Sequence, residues 1–337
     1  MKYVPHDYQA HATQHIIDNP AAGLLLDMGL GKTVATLTAI KDLMYNSCEV
    51  EKVLVIAPKR VAEDTWPKEV TKWDHLKNLR VSLVLGTPRQ RIEALRRKAD
   101  IYVINRENVV WLVTYFQSAF PFDMLVIDES SSFKNYKSAR FKALRSVRPG
   151  INRVVNLTGT PTPNGLLDLW SQMYLLDRGQ RLGKTISQYR DEYFKPTRRK
   201  GHVIYEWALL QGDDVTGEDI YERRIYDKIS DICISMKSED YLDLPDLLEI
   251  DVMIDLPAKD MQRYKDFERD LVLCMEMVGL ENAEDITAIN ATALSNKLRQ
   301  FANGAVYDDE KNWKLVHNVK LAALVEDVED LNGKPII

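Results

Sequence analysis

Residues 24–33 read LLLDMGLGKT. A short apolar run ends in a glycine-bearing turn, and KTVATLTAI then continues as a helix whose first amides point back at that turn. Unpaired amides at the positive end of a helix dipole suit a polyphosphate. Lys32 is placed to bridge the β and γ phosphates and Thr33 to ligate magnesium, while Met28, Gly29, Leu30 and Gly31 form the turn. Leu26 stands where the pattern G-x-x-x-x-G-K-T has its first glycine; Gly29 and Gly31 still permit close backbone approach. A second group lies in DMLVIDES at 123–130. Asp128 suits magnesium held through water, and Glu129 suits orientation or deprotonation of an attacking water. An Asp-Glu pair at a strand end reads by itself as a helix cap. Beside the phosphate loop it reads as half of a nucleoside-triphosphatase site, with the use of the energy unspecified.

These groups need a scaffold that brings strand ends together. GLLLD at 23–27, VLVIA at 53–57, IYVIN at 101–105, MLVID at 124–128 and VVNLT at 154–158 are unalternating apolar runs bounded by charge, proline or glycine. That is the pattern of strands buried on both faces of a parallel sheet. Helix-like stretches separate them, TVATLTAIKDLM and PRQRIEALRRKA among them, so the order predicts a doubly wound, mostly parallel α/β domain over 1–178. From 179 to 245 the text turns polar and Tyr-rich, with KPTRRKG at 195–201 and QGDDVTGED at 211–219, which reads as a connector or insertion. A strand-like run, LEIDVMIDLP at 248–257, opens a second domain over 246–337. KLAALVEDVEDL at 320–331 reads as a helix with Leu321, Leu324, Val325, Val328 and Leu331 on one face. Asn332 and Gly333 suit its cap, and KPII follows, so the second domain reads as incomplete.

Bulk properties bound the class. Of 337 residues, 45% are hydrophobic and 28% charged, which excludes disorder and fibrous repeats. A net charge of -5 opposes nucleic acid in bulk, so such contact needs a local basic face. Lys59 and Arg60 supply the best one, following a buried strand at its carboxyl end, where α/β ligands collect. The clusters at 89–98, 134–140 and 198–200 read as solvated faces. Cys48, Cys233 and Cys274 have no metal-ligand spacing, and no apolar run approaches the ~18 residues of a membrane span; a reducing cytoplasm is the expected setting. Trp66 and Trp73, seven apart on a helix, read as core residues.

LLLDMGLGKT, VLVIAPKRVAEDTWPKEVTKW at 53–73, IYVINRENV at 101–109, MLVIDESSSFKN at 124–135 and LTGTPTPNGLLDLWSQMYLL at 157–176 resemble, in order, the first-lobe motifs of superfamily 2 helicases, in their Swi/Snf-related branch. Further on, 232–248 resembles the opening of the second lobe and KLRQFANGAVY at 297–307 a helix within it. The short elements and the DESS box look like compact bacteriophage members, which implies a host cytoplasm. The resemblance implies a RecA-like P-loop NTPase lobe, a connector and an incomplete second RecA-like lobe, using ATP and Mg2+. It implies that Gln9 reads the adenine edge and that Pro58 and Lys59, beside Arg60, meet the DNA backbone without regard to sequence. Thr158, Gly159 and Thr160 match the motif that couples the nucleotide to DNA. The implied function is an ATP-dependent DNA translocase or helicase; first-lobe motifs are common to strand separation and duplex tracking. The alternative is a nucleotide-switched DNA- or protein-binding module, and a P-loop enzyme of small molecules ranks below both. Where relatives have D-E-A-H this chain has D-E-S-S, so the His that links the acidic box to the next motif is replaced. No second-lobe arginine finger is found, and since such a finger contributes ~10³ to 10⁵ in rate, ATP binding with poor turnover is expected of this chain.

Overall fold

The structure, a computed structural model, describes the chain apart from residues 201–202, 213–219, 242–250, 279–294, 309–311 and 331–337. It divides into two compact units, Met1–Leu244 and Pro245–Ile337.

In the first unit the strands are β1 (Ala21–Leu26), β2 (Val53–Ala57), β3 (Val81–Val84), β4 (Ile101–Asn105), β5 (Met124–Asp128) and β6 (Arg153–Thr158). The helices among them are α1 (Asp7–Asp18), α2 (Lys32–Tyr45), α3 (Trp66–Lys72), α4 (Pro88–Arg96), α5 (Val109–Phe116) and α6 (Ala139–Val147), followed by α7 (Leu169–Asp177). Then come α8 (Ile186–Tyr193), the hairpin β7 (Phe194–Lys200) and β8 (Val203–Leu209), α9 (Ile220–Ile229), β9 (Cys233–Met236) and α10 (Ser238–Tyr241). Seven strands form one parallel sheet in the order β3-β4-β2-β5-β6-β1-β9. The unalternating runs have the predicted cause. Leu54 and Ile56 of β2 enter one core with α5, α6 and α7, while Val53, Val55 and Ala57 enter the other with α1, α2 and α3. Both faces are covered, each buried aliphatic side chain contributing about 1.5–3 kcal/mol relative to exposure.

The order matters for what the sheet can hold. The chain leaves β1, crosses to β2, and later returns to place β5 and β6 in the gap. Neighbours β5, β6 and β1 therefore end together, with Asp128 opposite Leu157 and Leu25 opposite Thr158. Two strand spacings, about 10 Å, separate the end of β1 from the end of β5, and the crevice at such carboxyl ends is where ligands of open α/β sheets bind.

Two strands of the seven-stranded sheet escaped the sequence reading. β3 is a four-residue edge strand whose burial alternates, and β9 lies within 232–248, the text that resembles the opening of a second lobe; it pairs with β1 instead. The stretch read as a connector thus supplies the sheet's seventh strand. Within that stretch residues 195–200 belong to β7, antiparallel to β8; Phe194, Trp207 and Leu209 pack on the core, and Lys195, Arg198 and Arg199 stay exposed.

The second unit has helices at Ala258–Val278, 295–302 and Val319–Asp330, and a two-stranded pair, Ala305–Tyr307 with Trp313–Leu315. The expected strand at 248–257 is absent over its described part, 251–257. Val252 and Met253 are exposed, and without a neighbouring strand the run has no ladder to fill. Leu321, Leu324, Val325 and Val328 lie on the predicted last helix, all exposed; Leu331, the cap at Asn332 and Gly333, and KPII fall outside the described residues.

Gly23 fixes how closely β1 approaches β9. A Cβ there would lie 2.5 Å from Cys233 Sγ and 3.5 Å from Leu176. Gly23→Ala should cost about 1–3 kcal/mol through overpacking, and Cys233→Ala should recover part of that loss in the double variant, measured by denaturant unfolding; additive losses would show that the contact is loose. Burial pushes the Cys233 thiol up to about 12, so in the folded chain a maleimide should label exposed Cys48 and spare Cys233.

Candidate nucleotide-binding site

The turn after β1 has the backbone a phosphate loop needs. Gly29 and Gly31 adopt φ of 87° and 75°, the left-handed region that disfavours a side chain. Gly31 caps α2 without offering a side chain to its first amides, which stay available to an anion. A Cβ at Gly31 would also meet the Gln9 amide at 2.4 Å. Leu26, at the missing-glycine position, is the last residue of β1, wholly buried and without positive φ, so glycine has no task there. Leu30 is buried in the core, so only its backbone faces the loop, whereas Met28 stands 82% exposed at the rim.

Lys32 Nζ donates to the carbonyls of Leu26 at 2.7 Å and Asp27 at 3.2 Å. Burial lowers its pKa below the ordinary lysine value, against the pull of Glu129, Asp128 and Asp27. Asp27 in turn accepts from the Ser238 backbone amide at 2.9 Å, which ties the end of β1 to the start of α10. Across the cleft, burial pushes the Asp128 carboxyl above its ordinary value; Glu129 adds to the rise, while the Trp66 hydrogen bond and the Lys32 charge oppose it. Trp66 Nε1 donates to Asp128 Oδ2 at 2.9 Å. Glu129 has φ 53° and ψ 59°, a left-handed conformation in a non-glycine residue. Such strain costs on the order of 1–3 kcal/mol and collects at functional sites; here the 3-10 turn Ser130–Phe133, with Ser130 buried, follows it.

The cleft between these elements has a volume of about 450 Å³ and is lined by Gln9, Met28, Gly29, Gly31, Lys32, Thr33, Asp128 and Glu129. Val61, Thr65, Glu69, Lys72 and Trp73 complete its wall. Sequence reading missed this wall, because the helix from Lys59 passes through a π-helical segment at Val61–Thr65 that breaks the ordinary period. Trp66 is a core residue as its spacing predicts, but its N–H is committed to Asp128. Trp73 lines the cleft as well as packing edge-on against Tyr3.

The remaining predicted residues lie on the same edge but outside the cleft. Pro58, Lys59 and Arg60 follow β2; Lys59 is well exposed and only 3.9 Å from Glu63. Thr158 is buried, and its hydroxyl accepts from the Thr160 amide at 3.1 Å. Gly159 passes so near the base of the phosphate loop that a Cβ would lie 3.3 Å from the Leu26 carbonyl. The residues present fit magnesium with a triphosphate. Among the described residues no cluster of three or more His, Cys, Asp or Glu could hold a metal, and Thr33 with Asp128, which line one cleft, would offer the sparse protein ligation that magnesium accepts when phosphate oxygens and water complete its shell. No helix among the described residues is long and apolar enough to cross a membrane.

The raised Asp128 pKa has a consequence for stability. The folded chain binds that proton more tightly than the unfolded chain, so stability falls as pH rises from the unfolded value, 3.8, through the folded one. Without nucleotide or magnesium, Asp128→Asn should therefore raise the melting temperature at pH 7, the gain shrinking as pH approaches 4; thermal scans across that range that show no gain would contradict a costly buried carboxylate.

Comparison with known proteins places this geometry. Residues 8–306 match the SNF2-related domain. A putative protein, p41, from Acyrthosiphon pisum secondary endosymbiont phage 1 is 34% identical over 99% of this chain and 71% of its own length. A RAD54-like DNA repair and recombination protein of Drosophila willistoni is 24% identical over 78% of this chain, which spans 35% of that relative. Among solved structures, the Sulfolobus solfataricus SWI2/SNF2 ATPase core in complex with dsDNA shares the fold, with a TM-score of 0.58 and 22% identity over 98% of this chain and 65% of that one. With a family match across most of its length and a phage relative above 30% identity, the chain belongs to the SNF2-related domain family.

Proposed function

We propose that the chain carries the ATP site of an ATP-dependent DNA translocase or helicase. The observation that carries the reading is the convergence of Lys32, Thr33, Asp128 and Glu129 on one cleft beside a glycine loop of the required backbone. In this scheme Gly29 and Gly31 let backbone amides approach the phosphates, Lys32 exchanges its carbonyl partners for phosphate oxygens, and Gln9 reads the base. Thr33 and Asp128 would hold magnesium, which would supply positive charge to the phosphates. Glu129, turned into the cleft by its left-handed backbone, orients the attacking water. Pro58, Lys59 and Arg60 present a basic step to a DNA backbone, contacts that fix position without reading sequence.

The archaeal core, solved with duplex DNA, supports DNA as the partner, and the family match runs through both compact units. That supports reading Pro245–Ile337 as part of a second RecA-like lobe. The phage relative supports a host cytoplasm as the working compartment.

The test is ATP hydrolysis with and without duplex DNA. The motor reading expects DNA to stimulate hydrolysis, with Lys32→Ala and Glu129→Gln each removing about 10²-fold or more of the stimulated rate. A rate indifferent to DNA, together with DNA affinity that still follows the bound nucleotide, would favour a nucleotide-switched binding module.

A further inference from the structure

The D-E-S-S box lacks the histidine that the resemblance assigns to the link between the acidic motif and L-T-G-T-P, yet the two motifs are joined. Ser130 Oγ donates to Gln172 Oε1 at 2.8 Å. Gln172 Nε2 donates onward to the carbonyl of Pro161 at 2.6 Å and to that of Asp168 at 3.1 Å. Ser130 and Gln172 are each 1% exposed. The amide orientation is dictated by chemistry: carbonyls only accept, so the NH2 group faces them and the oxygen is left for the serine hydroxyl. The Gln172 backbone carbonyl is itself held by Asn156 Nδ2 at 2.9 Å, from the middle of β6. One residue earlier on α7, Ser171 Oγ donates to the Lys134 carbonyl at 2.6 Å, just past the acidic turn.

We propose that Gln172 is the positioning residue that couples the acidic box to the turn at 159–165. Ser130 directly follows Glu129, so a change in the Glu129 backbone on nucleotide binding reaches Gln172 through one buried hydrogen bond. Gln172 passes it to Pro161, in the turn whose Gly159 abuts the phosphate-loop carbonyl of Leu26. The circuit closes on itself: Lys32 binds that same Leu26 carbonyl. A buried, fully paired amide is suited to this because losing one partner leaves a group desolvated and unpaired, so its two ends shift together. A leucine or methionine at 172 would leave the Ser130 hydroxyl without this acceptor. The inference rests on the proposed ATP site but not on DNA being the partner.

The experiment is amide hydrogen exchange on the intact chain, with and without magnesium and a non-hydrolysable ATP analogue, in the wild type, Ser130→Ala, Gln172→Met and the double variant. In the wild type the analogue should slow exchange both at 28–34 and at 159–165. Each single variant should keep the protection at 28–34 and reduce that at 159–165 by about tenfold, the scale of a coupling between sites. The double variant should match the singles, because both break one connection. Should Gln172→Met fail to fold, Ser130→Ala alone decides. Full protection at 159–165 in a folded Ser130→Ala variant, or a wild-type turn that ignores the analogue, overturns the proposal. Duplex DNA affinity measured alongside separates the two readings: a wild type whose DNA affinity ignores the analogue sinks the motor, while exchange at 159–165 still decides the relay.

Discussion

The site depends on one topological constraint, that β5, β6 and β1 are neighbours and parallel and therefore end at the same edge. Asp128, Thr158 and Leu26 are the last residues of those strands. Nothing in the local chemistry of any one of them demands a nucleotide. Their adjacency is what makes the proposed nucleotide site, because it sets a lysine, two carboxylates and a glycine turn around a cleft of about 450 Å³. The sheet can hold this arrangement because it is buried on both faces. A one-residue slip of β5 would move Asp128 off the edge and invert two cores at once.

Around that edge the protein sustains charge it would be cheaper to leave in water. Lys32 and Asp128 are both desolvated, with opposite effects: the lysine is driven towards its neutral form and the carboxylate towards its protonated form. Each is offset by partners that a ligand can replace or join. Two backbone carbonyls hold the ammonium, and an indole N–H holds the carboxylate. Glu129 adds backbone strain. A preorganised, costly site of this kind gains from binding a dianionic phosphate and its metal, since the ligand supplies the missing charge.

Much of this is legible in the residues and some of it is not. Five of the seven strands announce themselves because a strand buried on both faces does not alternate apolar with polar positions, as VLVIA and MLVI show. β3 and β9 are short edges, where one face or one side is relieved of that demand, and β9 was hidden further by text that resembles another lobe. At Leu26 the sequence departs from the usual glycine pattern while Gly29 and Gly31 still permit close approach, and the backbone agrees, with positive φ in the turn at Gly29 and Gly31 alone. Trp66 could be placed in the core from its spacing, but no spacing reveals that its N–H meets a carboxylate 62 residues away. The serine-glutamine tie is of the same kind. Ser130 and Gln172 are 42 residues apart, and each reads alone as an ordinary polar residue.

In the proposed mechanism Lys32, Thr33, Asp128 and Glu129 serve one metal-bound triphosphate. The most direct measurement is a crystal grown with manganese in place of magnesium and a non-hydrolysable ATP analogue, with the metal located by its anomalous scattering. A single metal peak between Thr33 and Asp128 is expected, with the terminal phosphates at the N-terminus of α2. A metal found elsewhere, or an analogue bound away from the turn at 28–33, would contradict it.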